Sequence, residues 1–139
     1  MMVDPGRVRT LLDRLGEEIA HLRRLASLPD EDLDDPDRMA AVKYRFIVAI
    51  ETCIDIGEHI VASESLRAPL DFADTFASLA EGGFLDAATV PDLQRMARFR
   101  NLLVHGYQKV DDRKVVEILR TRLDDLEALR RTIAGRVGS

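Results

Sequence analysis

Apolar side chains return at helical spacing through almost the whole chain, a periodicity that leaves little room for sheet. Asp4-Pro5 pairs a capping residue with one of preset φ, and Val8, Leu12, Leu15, Ile19, Leu22 and Leu25 follow every three or four positions until Pro29 bounds the helix. The segment Pro29 to Asp35 is acidic and proline-punctuated and reads as a loop. Asp35-Pro36 repeats the cap signal and opens a second helix to about Ser63. Phe46, Ile47, Ile50, Ile54, Gly57 and Val61 share one side of it, apolar enough for the centre of the fold, and Gly57 permits close helix contact.

A short third helix, Pro69 to Leu79, carries Phe72, Phe76 and Leu79 and stops at Gly82-Gly83, where left-handed backbone is accommodated. Phe84 and Leu85 then plug the core. A fourth helix starts between Asp86 and Pro91, turns Leu93, Met96, Phe99 and Leu103 inward, and ends near His105, before Gly106. Asp111 or Asp112 caps a fifth, in which Val116, Leu119, Leu123, Leu126 and Ile133 keep the period to about Ala134, with a Gly-rich tail expected to fray from about residue 135. The expectation is an all-α fold, an antiparallel bundle of four long helices plus one short helix, built as a single domain over residues 1–139.

Composition agrees: the chain is 46% apolar and 32% charged, without tryptophan and rich in helix formers. The single cysteine, Cys53, cannot form an intramolecular disulfide, no charged-then-apolar leader opens the sequence, and no apolar run reaches the ~18 residues of a membrane span. A soluble protein of the reducing cytoplasm, with no membrane partner, is therefore expected. A net charge of −5 argues against coating nucleic acid by bulk electrostatics. The charge is locally polarised, however. Arg95, Arg98, Arg100, Lys109, Arg113 and Lys114 face two acids, Asp111 and Asp112, in one stretch, whereas Asp30 to Asp37 holds six acids and no base. Solvated helix faces produce such clusters as readily as anion-attracting surfaces do.

The chemistry concentrates in Arg100-Asn101-Leu102-Leu103-Val104-His105-Gly106-Tyr107. An arginine can hold a phosphate, a histidine can move a proton near neutral pH, and a tyrosine just beyond can bind or be modified, a combination that points to phosphodiester chemistry. Five residues on an ideal helix advance about 140° beyond a full turn and rise about 7.5 Å, so Arg100 and His105 do not share a face. RNA cleavage without metal needs a base for the 2′-hydroxyl, an acid for the leaving oxygen and a cation for the phosphorane. One histidine per chain supplies half of that, and a two-fold axis near these helix ends would bring the second. Read without function, His105 caps its helix, Arg100 forms a salt bridge and Tyr107 packs its ring.

The spacing Arg100, four residues, His105, one residue, Tyr107 reproduces the Arg-x4-His-x-Tyr signature of HEPN-domain toxins of the HepT family. The chain resembles that family from about Tyr44 to Arg131, including the stretches Ile54 to Ile60 and Pro69 to Gly83. The resemblance implies a HEPN-like bundle and a metal-independent endoribonuclease toxin that works as a homodimer on RNA. It also implies neutralisation by an MntA-type minimal nucleotidyltransferase antitoxin. Arg100 and His105 fall on the family's catalytic pair, Asn101 takes a supporting role, and Tyr107 falls on the tyrosine that the partner adenylylates. The toxin itself would need no cofactor, ATP being used by the partner. AMP groups on Tyr107, two residues from His105, would put bulk and negative charge where RNA phosphate enters.

Other polar residues read as structural. His59 follows Asp55 by four residues, the spacing of an ion pair or hydrogen bond on one helix face, Glu58 matters only if it reaches the cleft, and His21 looks like a surface residue near Arg23 and Arg24. One cysteine and no histidine pair at ligand spacing disfavour a metal site, and no P-loop or dinucleotide fingerprint occurs. The competing reading is a non-catalytic helical module that binds a nucleotide or a nucleotidyltransferase partner.

Overall fold

The structure, a computed structural model, describes residues 3–106 and 109–137. Among these residues seven α-helices form an antiparallel bundle: α1 (Pro5–Ala26), α2 (Asp30–Leu33), α3 (Pro36–Ser63), α4 (Phe72–Glu81), α5 (Val90–His105), α6 (Asp112–Thr121) and α7 (Leu123–Val137). A 3₁₀ turn, Ala87–Thr89, leads into α5. The expected aspartate caps are made. Asp4 accepts from the Gly6 and Arg7 N–H groups at 3.0 and 3.2 Å, Asp35 from Arg38 at 3.1 Å, and Asp111 from Arg113 at 2.9 Å.

The central position of α3 follows from its apolar surface. It touches α1, α2, α4, α5, α6 and α7, and Phe46, Ala49, Ile50, Ile56 and Ile60 along it are wholly buried. Phe46 meets Phe99 of α5 edge to face, ring centroids 5.2 Å apart, which sets the contact between the two helices that carry the site. Gly57 lets α4 approach: a Cβ there would lie 2.6 Å from the Thr75 methyl and 3.1 Å from Leu79 Cδ1. Gly83, with φ 87°, uses the left-handed backbone open to glycine, and Phe84 and Leu85 beside it are buried. Glu18 of α1 is buried and bonded by Arg45 of α3 at 2.7 Å, the pairing that makes a buried carboxylate tolerable.

Five features depart from the sequence reading. The acidic stretch after Pro29 contains a helical turn rather than plain loop. Asp30, Glu31 and Asp32 complement the positive end of α2, and Leu33 is sunk in the core. The short third helix begins at Phe72, not Pro69, because Asp71 caps it, accepting from Asp74 N–H at 2.8 Å. The fifth helix is two helices. The Thr121 hydroxyl donates to the Glu117 carbonyl at 2.6 Å, a back-bond that bends helices, and Arg122 leaves helical geometry while bonding Asp92 and Asp125, each at 2.9 Å. In α6 it is Val115, rather than Val116, that is buried with Leu119. Finally, the helix continues through residues 135–137, because Arg136 donates to the Gly83 carbonyl at 2.5 Å and to Asp86 at 2.7 Å, tying the end of α7 to the loop after α4.

Candidate active site

Helix α5 stays regular to its end, with the Gly106 N–H on the Leu102 carbonyl at 2.8 Å, so the motif keeps helical geometry through His105. Leu103 points into the core and Leu102 and Val104 are exposed. His105, the last residue of α5, is also exposed. Tyr107 lies outside the described residues.

Arg100 is the fixed element. Its side chain is only 14% exposed, and its Nε and Nη2 both donate to Glu51 Oε2 of α3, at 2.9 and 2.5 Å. Nη1 donates to Asn101 Oδ1 at 3.0 Å, and the guanidinium carbon sits 5.2 Å from the centre of the Phe72 ring. A guanidinium has five N–H bonds. Three are committed here, and among the described residues nothing engages the other two, which can take an anion. The structure thus joins Arg100 to Asn101 directly, while His105 stands beyond them at the helix end, as their separation on the helix requires.

Sequence reading missed Glu51 and Phe72. Glu51 belongs to a polar stripe, Tyr44, Glu51, Asp55 and Glu58, spaced seven, four and three along α3, whose opposite side is apolar and buried. The stripe was visible; which cation it faces was not. Phe72, read only as one of three apolar residues carried by the short third helix, is 37% exposed and starts α4.

The electrostatics are mixed. Desolvation and then the Glu51 charge push the Asp55 carboxyl above its ordinary range, with Arg7 and Arg14 opposing. Of the six basic residues between 95 and 114, four carry ion pairs among the described residues: Arg95 with Asp92, Arg100 with Glu51, Arg113 with Asp111 and Lys114 with Glu117. Arg98 and Lys109 are exposed. The cationic stretch is therefore largely neutralised within the fold, and anion binding would rest on Arg100 and its neighbours rather than on a broad basic surface.

The remaining polar candidates fall into structural roles. His59 Nε2 takes the Asp4 backbone N–H at 3.4 Å, so its recorded partner is the start of α1 rather than Asp55. His21 Nδ1 contacts Arg24 Nη2 at 2.5 Å. Glu58 lines a cavity beside Phe72. No group of three or more His, Cys, Asp or Glu among the described residues is arranged to hold a metal ion, and no described helix is long and apolar enough to cross a membrane.

Comparison with known proteins bears on this arrangement. The chain is 34% identical over 77 residues, 55% of its length, to the mRNA nuclease HepT of Shewanella oneidensis, and spans 58% of that relative's length. The fold is shared with the cytosolic protein YutE of Bacillus subtilis, at 17% identity and a TM-score of 0.85 over 98% of this chain and 92% of the other. It is shared too with a tri-AMPylated Shewanella oneidensis HEPN toxin in complex with MNT antitoxin, at 23% identity and a TM-score of 0.85 over 92% and 96% of the two chains. The model of the ribonuclease HepT-like family matches residues 15–133, taking in α3, α5 and the whole Arg100 to His105 segment, and the chain belongs to that family.

Proposed function

We propose that this chain is a metal-independent endoribonuclease toxin, active as a homodimer and silenced when a nucleotidyltransferase antitoxin adenylylates Tyr107. The observation that carries the reading is the immobilised Arg100 guanidinium, gripped by Glu51 and Asn101 with two N–H bonds to spare among the described residues, on the helix that ends in an exposed His105. It is supported by the family of the chain and by relatives described as an mRNA nuclease and as a toxin AMPylated in an antitoxin complex.

In this mechanism the RNA 2′-oxygen attacks phosphorus, its proton passes to one His105, and the 5′-oxygen departs with a proton from the other copy's His105. The products are a 2′,3′-cyclic phosphate and a 5′-hydroxyl. Arg100 holds the phosphate and offsets the charge gathered on the phosphorane, and Asn101 keeps the guanidinium oriented. No cofactor is needed for this step; ATP is the antitoxin's substrate. AMP groups on Tyr107 would block the entry of RNA by bulk and by charge.

Purified, unmodified protein should cleave single-stranded RNA in EDTA, and Arg100→Ala or His105→Ala should abolish cleavage with helicity intact. After co-expression with the antitoxin, mass spectrometry should find AMP increments on Tyr107. The alternative, a non-catalytic module that binds a nucleotide or the partner, is favoured by the extensive pairing of the basic residues, and RNA left whole by the wild-type protein would establish it over the nuclease.

A further inference from the structure

A cavity of 590 Å³ opens beside the candidate site, bordered by the C-terminal half of α3, the connection to α4 and the first turn of α4. Its walls are mostly apolar, from Val61, Leu66, Pro69 and the Phe72 ring. Its volume falls in the range of small-molecule sites. Phe72 belongs to both sites: the ring borders the cavity and carries the Arg100 guanidinium at 5.2 Å. Whatever phosphate Arg100 holds is thus attached to a neighbour that can reach this cavity.

The connection that borders the cavity is held to α4 by side-chain bonds. Arg67 donates from Nη1 and Nη2 to both oxygens of Asp74, at 2.7 and 3.0 Å, and from Nε and Nη2 to both oxygens of Glu81, at 2.8 and 3.0 Å. The Ser78 hydroxyl donates to the Arg67 carbonyl at 2.5 Å, and Ser65 takes a left-handed φ of 53°. A wall pinned in this way costs a ligand little ordering entropy. Two carboxylates line the space. Asp71 is occupied in capping α4, whereas no hydrogen bond or ion pair engages Glu58 among the described residues. Glu58 lies two turns, about 10 Å, beyond Glu51 along α3.

The geometry points to a nucleobase subsite: the unpaired base flanking the phosphate on Arg100 stacks against Phe72, and Glu58 accepts hydrogen bonds from its Watson–Crick edge. An aromatic platform with hydrogen-bonding groups at its rim is how proteins take up splayed single-stranded bases. Guanine is the base selected, because only its N1–H and N2–H present two adjacent donors to the two oxygens of one carboxylate, whereas uracil offers one donor flanked by acceptors. The subsite rests on the reading that Arg100 holds RNA phosphate.

Two measurements on the full chain keep the two ideas apart. The first is cleavage of single-stranded oligoribonucleotides that differ in one base. The second is binding, by fluorescence anisotropy, of the same sequences carrying 2′-O-methyl groups, which cannot be cut. Phe72→Ala should raise KM and weaken binding of the uncleavable RNA about tenfold or more, and Phe72→Tyr should restore both. Glu58→Gln should remove a preference for guanine over uracil, in KM and in binding of the uncleavable RNA. Binding that responds in this way in a protein that cuts nothing would uphold the subsite and overturn the nuclease. Cleavage that is indifferent to Phe72 and Glu58 would overturn the subsite and leave the nuclease standing. If Phe72→Ala instead loses only the antitoxin, the face belongs to the protein partner and the subsite is wrong.

Discussion

Arg100 of α5 is locked to Glu51 of α3, its Nε and Nη2 both donating to one carboxylate oxygen, so a residue 49 positions away in the chain sets the direction of the motif's guanidinium. The pair joins the two helices at the level of the Phe46–Phe99 contact, where packing permits little adjustment. An arginine held in this way keeps its remaining N–H bonds oriented before any ligand arrives, the condition under which a cation contributes most to a charged transition state.

If that is Glu51's part, Glu51→Ala should lower kcat for RNA cleavage by about tenfold or more with a smaller change in KM, and Glu51→Gln, which still presents an acceptor oxygen, should recover part of it. The stability cost should be small, roughly 1 kcal/mol, because Glu51 is 42% exposed and water screens the pair. Wild-type kinetics in Glu51→Ala, measured beside its thermal melt, would reduce the ion pair to a surface contact.

Gly57 should reject even a methyl group. Alanine improves helix propensity by about 1 kcal/mol, but its Cβ would fall 2.6 Å from the buried Thr75 methyl, and overpacking of this kind costs about 1–3 kcal/mol. The expected outcome of Gly57→Ala is a net loss of about 1 kcal/mol in urea unfolding. Thr75→Ser, which deletes the offending methyl and keeps the hydroxyl, should recover it in the double variant.

The Arg67 clasp should show itself in acid. Hydrogen bonds from Arg67 and then from the Leu70 N–H hold the Asp74 carboxyl down at about 2, below its ordinary 3.8, and Arg67 lowers Glu81 as well. Carboxylates depressed in the fold contribute stability above their unfolded pKa, and that contribution fades as pH falls from about 4 towards 2. Asp55 and Asp125 are shifted upward and act in the opposite sense, so a variant isolates the clasp better than the wild-type curve. Melting temperature against pH should fall less steeply for Asp74→Asn than for the wild type across that window; parallel curves would discount the clasp.

Cys53 should be inert while the protein is folded. It is buried on α3 and desolvation pushes its thiol up to about 12, so the reactive thiolate is scarce at neutral pH. Ellman's reagent at pH 8 should titrate less than a tenth of the thiol in native protein and all of it in urea. Rapid reaction without denaturant would mean that α3 opens locally.

Much of this molecule was readable before folding because the relevant signals are local. The period of Val8, Leu12, Leu15 and Ile19, the caps at Asp4, Asp35 and Asp111, and the spacing of Arg100, His105 and Tyr107 all involve residues within a few positions of each other. Backbone sterics and helix geometry translate such spacings into structure with little help from the rest of the chain. The same locality explains why the break at Arg122 and the continuation of α7 past residue 135 were missed. Both hang on side chains that reach another element, Arg122 to Asp92 and Arg136 to Gly83 and Asp86.

The motif itself divides along this line. Its order along the chain and the angle between Arg100 and His105 follow from one helix. That Glu51 would grip Arg100, that Phe72 would meet the guanidinium, and that Glu58 would border the adjoining cavity depend on how α3, α4 and α5 are rotated against one another. That rotation is settled by close packing of the whole core, through contacts such as Gly57 on Thr75 and Phe46 on Phe99, and no local stretch of sequence carries it.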